Sequence, residues 1–332
     1  MKKKLKIYFV DFWSNFNLND NFFTQHLNSV YDIEITPENP DVLFYSVFGI
    51  NHRFYNCKRV FFTGENIRPD FRRCDFSLSF DYDEYGGRNF RLPLYALFDD
   101  VNKLTKEKNI KDIISKKTKF CNFIYSNPNC KIRNQFFRAL SKYKKVDSAG
   151  RLYNNIGRAV EDKLQFISEY KFTIAFENES EKGYTTEKIF EPMLVNSIPI
   201  YCGNPDSGKE FNPKSFINYH DFSSMEEVIN RIIEIDNDDN LYIEMLSQPW
   251  FEGNKVNDFV DDEKIKERLM QIVEAKIKPV SSKSKVFSPN TLIRILAKIS
   301  IKINYRISRL IYKIKIFRPY KIKTKLLRII GK

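Results

Sequence analysis

A lysine at the start of a predicted helix is the residue whose position most suggests chemistry. An apolar run, residues 172–176, predicts a buried strand, and after a polar loop Thr185 or Thr186 is typical of a residue that opens a helix. Lys188 then falls in the first turn, where the helix dipole disfavours a cation by about 0.3–1 kcal/mol. A bound anion would reverse that effect, because free amides and an ammonium group together suit a phosphate. The alternative is an exposed lysine that tolerates the penalty.

Two further charged residues stand near the ends of predicted strands. Only two residues separate Glu65 from the apolar run 59–62, so its carboxylate is placed at a strand's carboxyl edge; a turn residue that caps the next segment is the alternative. Arg133 lies early in a predicted helix, and its planar guanidinium can hold a diphosphate through two parallel bonds. A solvated helix-face arginine is the alternative there, and Lys131 and Arg138 offer cations in the same segment.

The elements that must position these residues alternate between short apolar runs and helical segments. We predict strands at 5–10, 42–48, 59–62, 76–80, 120–125, 172–176 and 198–201, and helices near 131–143, 224–235, 239–247 and 257–276, the last three closing the second unit. Such alternation predicts parallel sheets covered on both faces, with ligands beyond the carboxyl ends of the strands. The Lys-rich stretch 103–118 is the predicted connection between two domains. The predicted domains are residues 1–115 and 116–280, and residues 281–332 form a tail. Pro192 predicts that the helix after Lys188 is bent or shortened.

The amino-acid composition indicates a globular protein with more than one domain. The 332 residues are 42% hydrophobic and 15% aromatic, enough for two domains with real cores. Five scattered cysteines without a CxxC pair argue against a disulfide framework and predict reduced thiols in the cytoplasm. No segment approaches about 18 uninterrupted apolar residues, so any membrane contact is expected to be peripheral.

The net charge of +13 comes from the last fifty residues. Residues 281–332 hold fifteen of the 55 Lys and Arg and no Asp or Glu, which leaves 40 basic residues against 42 acidic ones before them. Between 291 and 328 the basic residues follow a helical spacing beside an Ile- and Leu-rich face: Arg294, Lys298, Lys302, Arg306, Arg309 and Lys313. A basic amphipathic helix predicts binding to an anionic membrane surface. Nucleic-acid binding is the alternative, which the scarcity of aromatics disfavours.

Several motifs of the chain resemble those of the α1,3/1,4-fucosyltransferases, glycosyltransferase family 10. They occur in order between about residues 42 and 222. The matching segments are Thr63-Gly64-Glu65-Asn66, Ser126-Asn127-Pro128 with Arg133, Asp147-Ser148 with Gly150, Asn154-Asn155-Ile156-Gly157, Glu177-Asn178, Tyr184, Thr186-Glu187-Lys188 and Ile198-Pro199-Ile200 with Gly203.

The resemblance implies a GT-B fold, that is, two Rossmann-like domains with a cleft between them. It also implies an inverting α1,3-fucosyltransferase that moves fucose from GDP-fucose to a GlcNAc or glucose hydroxyl. We expect an N-acetyllactosamine-type acceptor on a lipid-linked surface glycan such as lipopolysaccharide, and a cytoplasmic enzyme peripheral to the inner face of the cell membrane. The alternatives are another nucleotide sugar, or a non-enzymatic protein that binds lipid or nucleic acid. The linkage, α1,3 or α1,4, and a homodimer are left open.

The resemblance also assigns the site residues. It implies catalytic roles for Glu65, Arg133, Glu187 and Lys188, and substrate binding by Asn155, Glu177, Asn178 and Tyr184. Glu65 is the implied general base, and Glu187 is implied to contact the fucosyl ring. Arg133 and Lys188 would balance the charge that develops on departing GDP.

We expect no metal and no cofactor. Asp81-Tyr82-Asp83 is a DxD triplet of the kind that many other glycosyltransferases use to hold a divalent cation, but such triplets often arise by chance. The three histidines are far apart in sequence, and His220 is interpreted as structural.

Overall fold

The structure, a computed structural model, describes residues 2–98 and 100–282. Within them the chain forms two parallel β-sheets accompanied by helices, so the predicted α/β class is confirmed. Residues 291–328, for which the basic amphipathic helix is predicted, lie outside the described residues. The boundaries at 115 and 280 stay a prediction.

The first sheet is formed entirely by the N-terminal part of the chain. Its strands are β1 (Lys3–Val10), β2 (Tyr31–Ile35), β3 (Val42–Tyr45), β4 (Lys58–Phe62), β5 (Phe76–Ser79) and β6 (Asn89–Arg91). Their order across the sheet is β2-β1-β3-β4-β5-β6, and all neighbours are parallel. Every residue of β3 and β4 is buried, which is typical of parallel strands covered on both faces.

The second sheet carries the segment that the sequence singles out. Its strands are β7 (Lys119–Phe123), β8 (Val146–Ser148), β9 (Tyr170–Phe176), β10 (Ile198–Cys202) and β11 (Ile217–Asn218). Their order is β11-β10-β9-β7-β8, again all parallel. Phe172 pairs with Ile198 and Phe176 with Cys202, so the loop that follows β9 begins at the carboxyl edge of this sheet.

Helices surround both sheets. The α-helices are α1 (Phe22–Asn28), α2 (Ile110–Lys116), α3 (Lys131–Tyr143), α4 (Lys163–Ser168), α5 (Glu187–Leu194), α6 (Met225–Asn237), α7 (Asp239–Ser247) and α8 (Asp262–Glu274). Short 3₁₀ helices span Asn51–Phe54, Leu94–Leu97, Val101–Thr105, Ser207–Lys209, Pro213–Ser215, Tyr219–Asp221, Glu252–Asn254 and Val280–Ser282. Along residues 2–98 and 100–282, none of the helices combines the length and apolar character needed to cross a bilayer. All five cysteines are buried and free of disulfides.

The last helix packs differently from the expectation. The sequence predicts that the helix near 257–276 closes the second unit, but α8 shares its hydrophobic core with β1, β3 and β4 of the first sheet. Lys58 on β4 donates hydrogen bonds to the carbonyl oxygens of Ile272 and Val273, at 2.8 and 2.7 Å. The apolar face of α8 therefore covers the first sheet, a choice that the spacing of its apolar residues does not encode.

Helix α5 lies at the junction of the two sheets. It has eight residues and ends two residues after Pro192, in agreement with the predicted shortening, because proline cannot donate the helical hydrogen bond. The ring of Phe190 lies 6.0 Å from that of Tyr95 and 5.7 Å from that of Phe98, both in the N-terminal part of the chain. One face of α5 thus contacts the first unit, while its start faces the loop after β9.

Candidate active site

A buried carboxylate fixes the start of α5. Glu177 directly follows β9, is 2% exposed, and accepts hydrogen bonds from the backbone N–H and the hydroxyl of Thr186, each at 2.8 Å. Thr186 is the N-cap of α5. Gly203 permits this arrangement, because a Cβ there would collide with the Glu177 side chain. Burial raises the pKa of Glu177, and Lys188 and Thr186 oppose that rise.

Lys188 is surrounded by two carboxylates and a hydroxyl. Its Nζ lies 3.1 Å from Glu177, 3.1 Å from Glu187 and 3.0 Å from the Oγ1 of Thr186. Burial disfavours the charged ammonium, but the two carboxylates outweigh it and raise the pKa of Lys188. Burial likewise disfavours ionised Glu187, yet Lys188 outweighs it and lowers the pKa of Glu187. The sequence suggests that a bound anion balances the charge of Lys188. In the structure, the carboxylates of Glu177 and Glu187 already do so.

Arg133 is fully buried in the first turn of α3. Its Nη1 donates to the Oδ1 of Asn178 at 3.0 Å, and its Nη2 donates to the carbonyl oxygen of Asn127 at 2.6 Å. Its guanidinium carbon lies 4.0 Å from the centre of the Tyr125 ring. The Nε has no hydrogen-bond partner among the described residues. The alternative of a solvated helix-face arginine is therefore wrong.

Tyr125, which the sequence did not single out, contacts Arg133 and lines the same cavity as Lys188. Its hydroxyl accepts from the N–H of Phe176 at 2.7 Å and lies 2.9 Å from the carbonyl oxygen of Ile174. Burial raises the pKa of Tyr125, and the charges of Arg133 and Lys188 both oppose that rise. Arg133 of α3 thus packs on a tyrosine that borders the cavity lined by Lys188 of α5. From the sequence alone, this residue cannot be distinguished from a core tyrosine.

A cavity of about 200 Å³ opens beside these groups. Asn178, Glu187 and Lys188 line it, while Arg133 contacts Asn178 and Glu177 contacts Lys188. Five of the eight predicted site residues therefore gather around one cavity, at the carboxyl edge of the second sheet.

Further polar residues line the cavity among apolar ones such as Ile124 and Ile174. Lys163 of α4 donates a hydrogen bond to Glu191 of α5, and both residues line the cavity. Asn122 of β7 lines it too, and its buried Oδ1 has no partner within the described part of the chain. The sequence analysis missed these three residues, because a lysine or glutamate within a helix and an asparagine within an apolar strand carry no local signal of a site. They add hydrogen-bonding groups that can orient a polar ligand.

Tyr184 lies outside the cavity lining and packs against the first unit. Its ring centre is 5.4 Å from that of Phe80, in the segment after β5. Burial raises the pKa of Tyr184, and the charges of Glu177 and Glu65 act in the same direction. Tyr184 therefore joins the second sheet's loop to the first unit.

Asn155 also lies outside the cavity lining. Its side chain accepts from the N–H of Ser148 at 2.7 Å and donates to the carbonyl oxygen of Val146 at 2.9 Å. Both polar groups of the Asn155 side chain are therefore bonded to the backbone of the edge strand β8, a structural role that needs no ligand.

Glu65 is exposed where the loops of the two sheets meet. The Thr63 hydroxyl accepts a hydrogen bond from the Glu65 backbone N–H at 2.9 Å. The next residue, Asn66, donates to Glu179 in the loop after β9. The Glu65 side chain is therefore open to solvent near the carboxyl end of β4.

The DxD triplet contributes one carboxylate that already has partners. Asp81 accepts from the Nε of Arg68 at 3.0 Å and from the hydroxyl of Tyr85 at 2.7 Å. Across the described residues, no group of three or more His, Cys, Asp or Glu is arranged to hold a metal ion. His220 contacts the carbonyl oxygen of Gly203 at 3.1 Å, a position consistent with a structural role.

Comparison with known families places the chain in one of them. The two parallel sheets with their helices match the GT-B fold of solved fucosyltransferases. Residues 7–98 match the model of the alpha-(1,3)-fucosyltransferase FucT N-terminal domain, and residues 114–285 match that of glycosyltransferase family 10 (fucosyltransferase), C-terminal part. The chain belongs to glycosyltransferase family 10.

Individual relatives agree with this assignment. The chain is 36% identical over 225 residues to the alpha-(1,3)-fucosyltransferase FucT of Helicobacter pylori, an alignment that covers 58% of this chain and 47% of the relative. The chain thus spans about half the length of that relative. A crystal structure of an α1,3-fucosyltransferase with GDP is 30% identical, with a TM-score of 0.73, and covers 83% of this chain and 92% of that one. A second structure, with GDP-fucose, is 29% identical with a TM-score of 0.71, covering 84% and 93%.

Proposed function

We propose that this protein is an inverting α1,3-fucosyltransferase that transfers fucose from GDP-fucose to a GlcNAc or glucose hydroxyl of an N-acetyllactosamine-type glycan. One observation carries the proposal: Lys188, at the start of α5, lines the cavity at the carboxyl edge of the second sheet, and Arg133, at the start of α3, lies directly behind its wall, bonded to the lining residues Asn178 and Asn127. In parallel sheets this edge is where nucleotide ligands bind.

The donor assignment is supported by charge and by the relatives. The diphosphate of a nucleotide sugar is an anion, and two cations beside free amides at a helix start suit it. The solved α1,3-fucosyltransferase that is 29% identical to this chain was crystallised with GDP-fucose. In the free protein Glu177 and Glu187 hold Lys188, so we infer that the diphosphate takes over part of this contact when it binds.

The proposed reaction is a single displacement. The acceptor hydroxyl oxygen forms a bond to C1 of fucose while the bond from C1 to the phosphate oxygen breaks, and the electron pair leaves with GDP. The proton of the acceptor hydroxyl passes to Glu65, and Glu187 stabilises the positive charge that grows on the fucosyl ring. Lys188 and Arg133 stabilise the negative charge that grows on GDP.

A panel of donors tests this proposal. The purified full chain is incubated with N-acetyllactosamine and, separately, GDP-fucose, GDP-mannose and UDP-galactose, and the product linkage is read by NMR. We expect turnover with GDP-fucose alone and an α1,3-linked product from the β-linked donor. Turnover with GDP-mannose but not GDP-fucose would overturn the donor, and a β-linked product would overturn inversion.

The proposal includes attachment to an anionic membrane surface through residues 291–328, on the cytoplasmic face. Each Lys or Arg near such a surface contributes roughly 1 kcal/mol, which salt screens. The full chain should sediment with anionic vesicles but not with neutral ones. Deletion of residues 285–332 should abolish sedimentation and leave transfer to a soluble acceptor nearly intact. Binding to RNA instead of vesicles would contradict the membrane assignment.

A further inference from the structure

A buried network of charged and polar groups crosses the junction between the two sheets, behind the loop that precedes α5. At its centre is Glu210, which follows the 3₁₀ helix Ser207–Lys209 and is 2% exposed. Its carboxylate contacts three side chains of the N-terminal unit and two of its own unit. These contacts are Arg91 at 2.6 Å, Tyr95 at 2.7 Å, Tyr82 at 3.0 Å, Thr185 at 2.7 Å and Asn204 at 2.7 Å.

Arg91, the last residue of β6, reaches from the first sheet to this loop. It is 5% exposed, and its Nη1 donates to the carbonyl oxygen of Gly183 at 3.1 Å as well as to that of Phe80. Its guanidinium carbon lies 3.9 Å from the centre of the Tyr82 ring. The arginine is thus enclosed by an aromatic face, two carbonyl oxygens and the Glu210 carboxylate. Burial disfavours its charge, but Glu210 outweighs burial and raises the pKa of Arg91.

The same network holds the loop 183–186 through hydrogen bonds at Gly183 and Thr185. The N–H of Gly183 donates to the Oδ1 of Asn204 at 2.7 Å, and the hydroxyl of Thr185 donates to Glu210. Gly183 has a φ of +86°, and a Cβ there would meet the Phe80 carbonyl oxygen, so only glycine fits. Thr186, which follows Thr185 in the chain, is the N-cap of α5. The position of the helix start that carries Glu187 and Lys188 is therefore set partly by groups of the first unit.

We propose that Arg91 and Glu210 are positioning residues, through which the N-terminal unit shapes the donor site without touching the donor. This inference rests on the proposed function, because the ligand concerned is GDP or its sugar conjugate. When the two units are joined by this network, the loop 183–186 holds α5 in the geometry that accepts the diphosphate. Loosening the network displaces Lys188 and Glu187, and a displacement of about 1 Å in a site can lower activity by about a hundredfold.

The experiment compares matched variants of the full chain. Tyr82→Phe and Thr185→Val each remove one hydroxyl contact to Glu210, and Glu210→Gln removes its charge. Tyr31→Phe is the control: it makes the same chemical change as Tyr82→Phe and removes a 2.9 Å hydrogen bond to Glu274 on α8, far from the loop. GDP affinity is measured by calorimetry, and KM for GDP-fucose and for the acceptor is measured separately.

We expect the Kd for GDP and the KM for GDP-fucose to rise about threefold to tenfold in Tyr82→Phe and Thr185→Val, because the net free energy of a typical hydrogen bond corresponds to a change of that size. The rise should be larger in Glu210→Gln, which also removes the charge. The KM for the acceptor and all constants of Tyr31→Phe should stay within about twofold of the wild type. If Glu210→Gln does not fold, the two hydroxyl variants decide.

Two results would overturn the inference. One is unchanged GDP affinity in Tyr82→Phe and Thr185→Val, and the other is an equal rise in the KM of donor and acceptor, which a general loosening of the fold would produce. A wild-type chain that does not bind GDP would instead overturn the proposed function, and the donor role of the network with it. The two failures are therefore distinguishable.

Discussion

Replacing Lys188 by methionine tests the role of the cation at the start of α5. The side chain is 16% exposed and contacts Glu177, Glu187 and Thr186. Lys188→Met keeps most of the side-chain volume but leaves the buried carboxylate of Glu177 and the partly buried one of Glu187 without their cation. Breaking one partner out of a buried ion pair costs about 3–5 kcal/mol of stability. Removing one group that stabilises developing charge costs about 2.7–4 kcal/mol of transition-state stabilisation, or about a hundredfold to a thousandfold in rate.

The double variant Glu177→Gln with Lys188→Met separates these two effects. With both charges removed, no isolated carboxylate is left at Glu177, so we expect most of the lost unfolding free energy to return. Transfer activity should not return, because the cation that stabilises departing GDP is still missing. Stability is measured by urea unfolding, and activity by kcat/KM for transfer of fucose to N-acetyllactosamine.

One result would refute this reasoning directly. If the double variant transfers fucose at close to the wild-type rate, Lys188 serves only to neutralise Glu177, and the cation has no part in the reaction. A Lys188→Met variant with unchanged stability would show that the contacts around its ammonium are energetically negligible.

Three further predictions follow from the site and its surroundings. Glu65→Gln should lower kcat about a hundredfold or more without changing GDP affinity, because a general base contributes about 10²–10⁴ to the rate; unchanged kcat excludes that role. Burial lowers the pKa of Lys117 to about 7 in the folded protein. Above that pH the unfolded chain therefore binds more protons than the folded one, and stability rises with pH. The free energy of unfolding of the wild type relative to Lys117→Met should rise from pH 7 to pH 9 by at most about 1.4 kcal/mol per pH unit. The exposed control Lys111→Met should show no such slope in denaturant titrations. EDTA and Asp81→Asn should each leave transfer within about twofold of the wild type, whereas restoration of an EDTA-inhibited enzyme by Mn²⁺ would contradict metal independence.

The segment from β9 to β10 was predictable because its local signals agree. Apolar runs for two strands, a threonine that can cap a helix and a proline that shortens it all lie within thirty residues. The structure confirms this βαβ unit and places Asn178, Glu187 and Lys188 on the cavity that it borders. Local pattern is sufficient where neighbours in sequence are also neighbours in space.

The burial of individual site residues, and their contacts with residues far away in the chain, could not be predicted from the sequence. Arg133 looks like a surface residue of an amphipathic helix, and its burial depends on Tyr125 and Asn178, which come from other loops. Glu177 meets Lys188 only because Gly203 leaves room for its side chain. The exposure of Glu65 depends on how the loop after β4 turns, which its residue types do not specify.

The packing of α8 shows the same limit at the level of whole elements. Its apolar spacing predicts a helix, but either sheet offers a complementary surface. The choice is made by distant partners, such as Lys58 at the end of the helix and Tyr31 opposite Glu274. The junction around Arg91 and Glu210 was likewise invisible in the sequence, because its members are far apart along the chain.

A crystal structure of the full chain with GDP tests the central claim most directly. Our account predicts the diphosphate within hydrogen-bonding distance of the Lys188 ammonium and next to the Arg133 guanidinium, with the Lys188 contact to Glu177 or Glu187 lengthened. A diphosphate bound away from both side chains, with Lys188 still held by its two carboxylates, would contradict it.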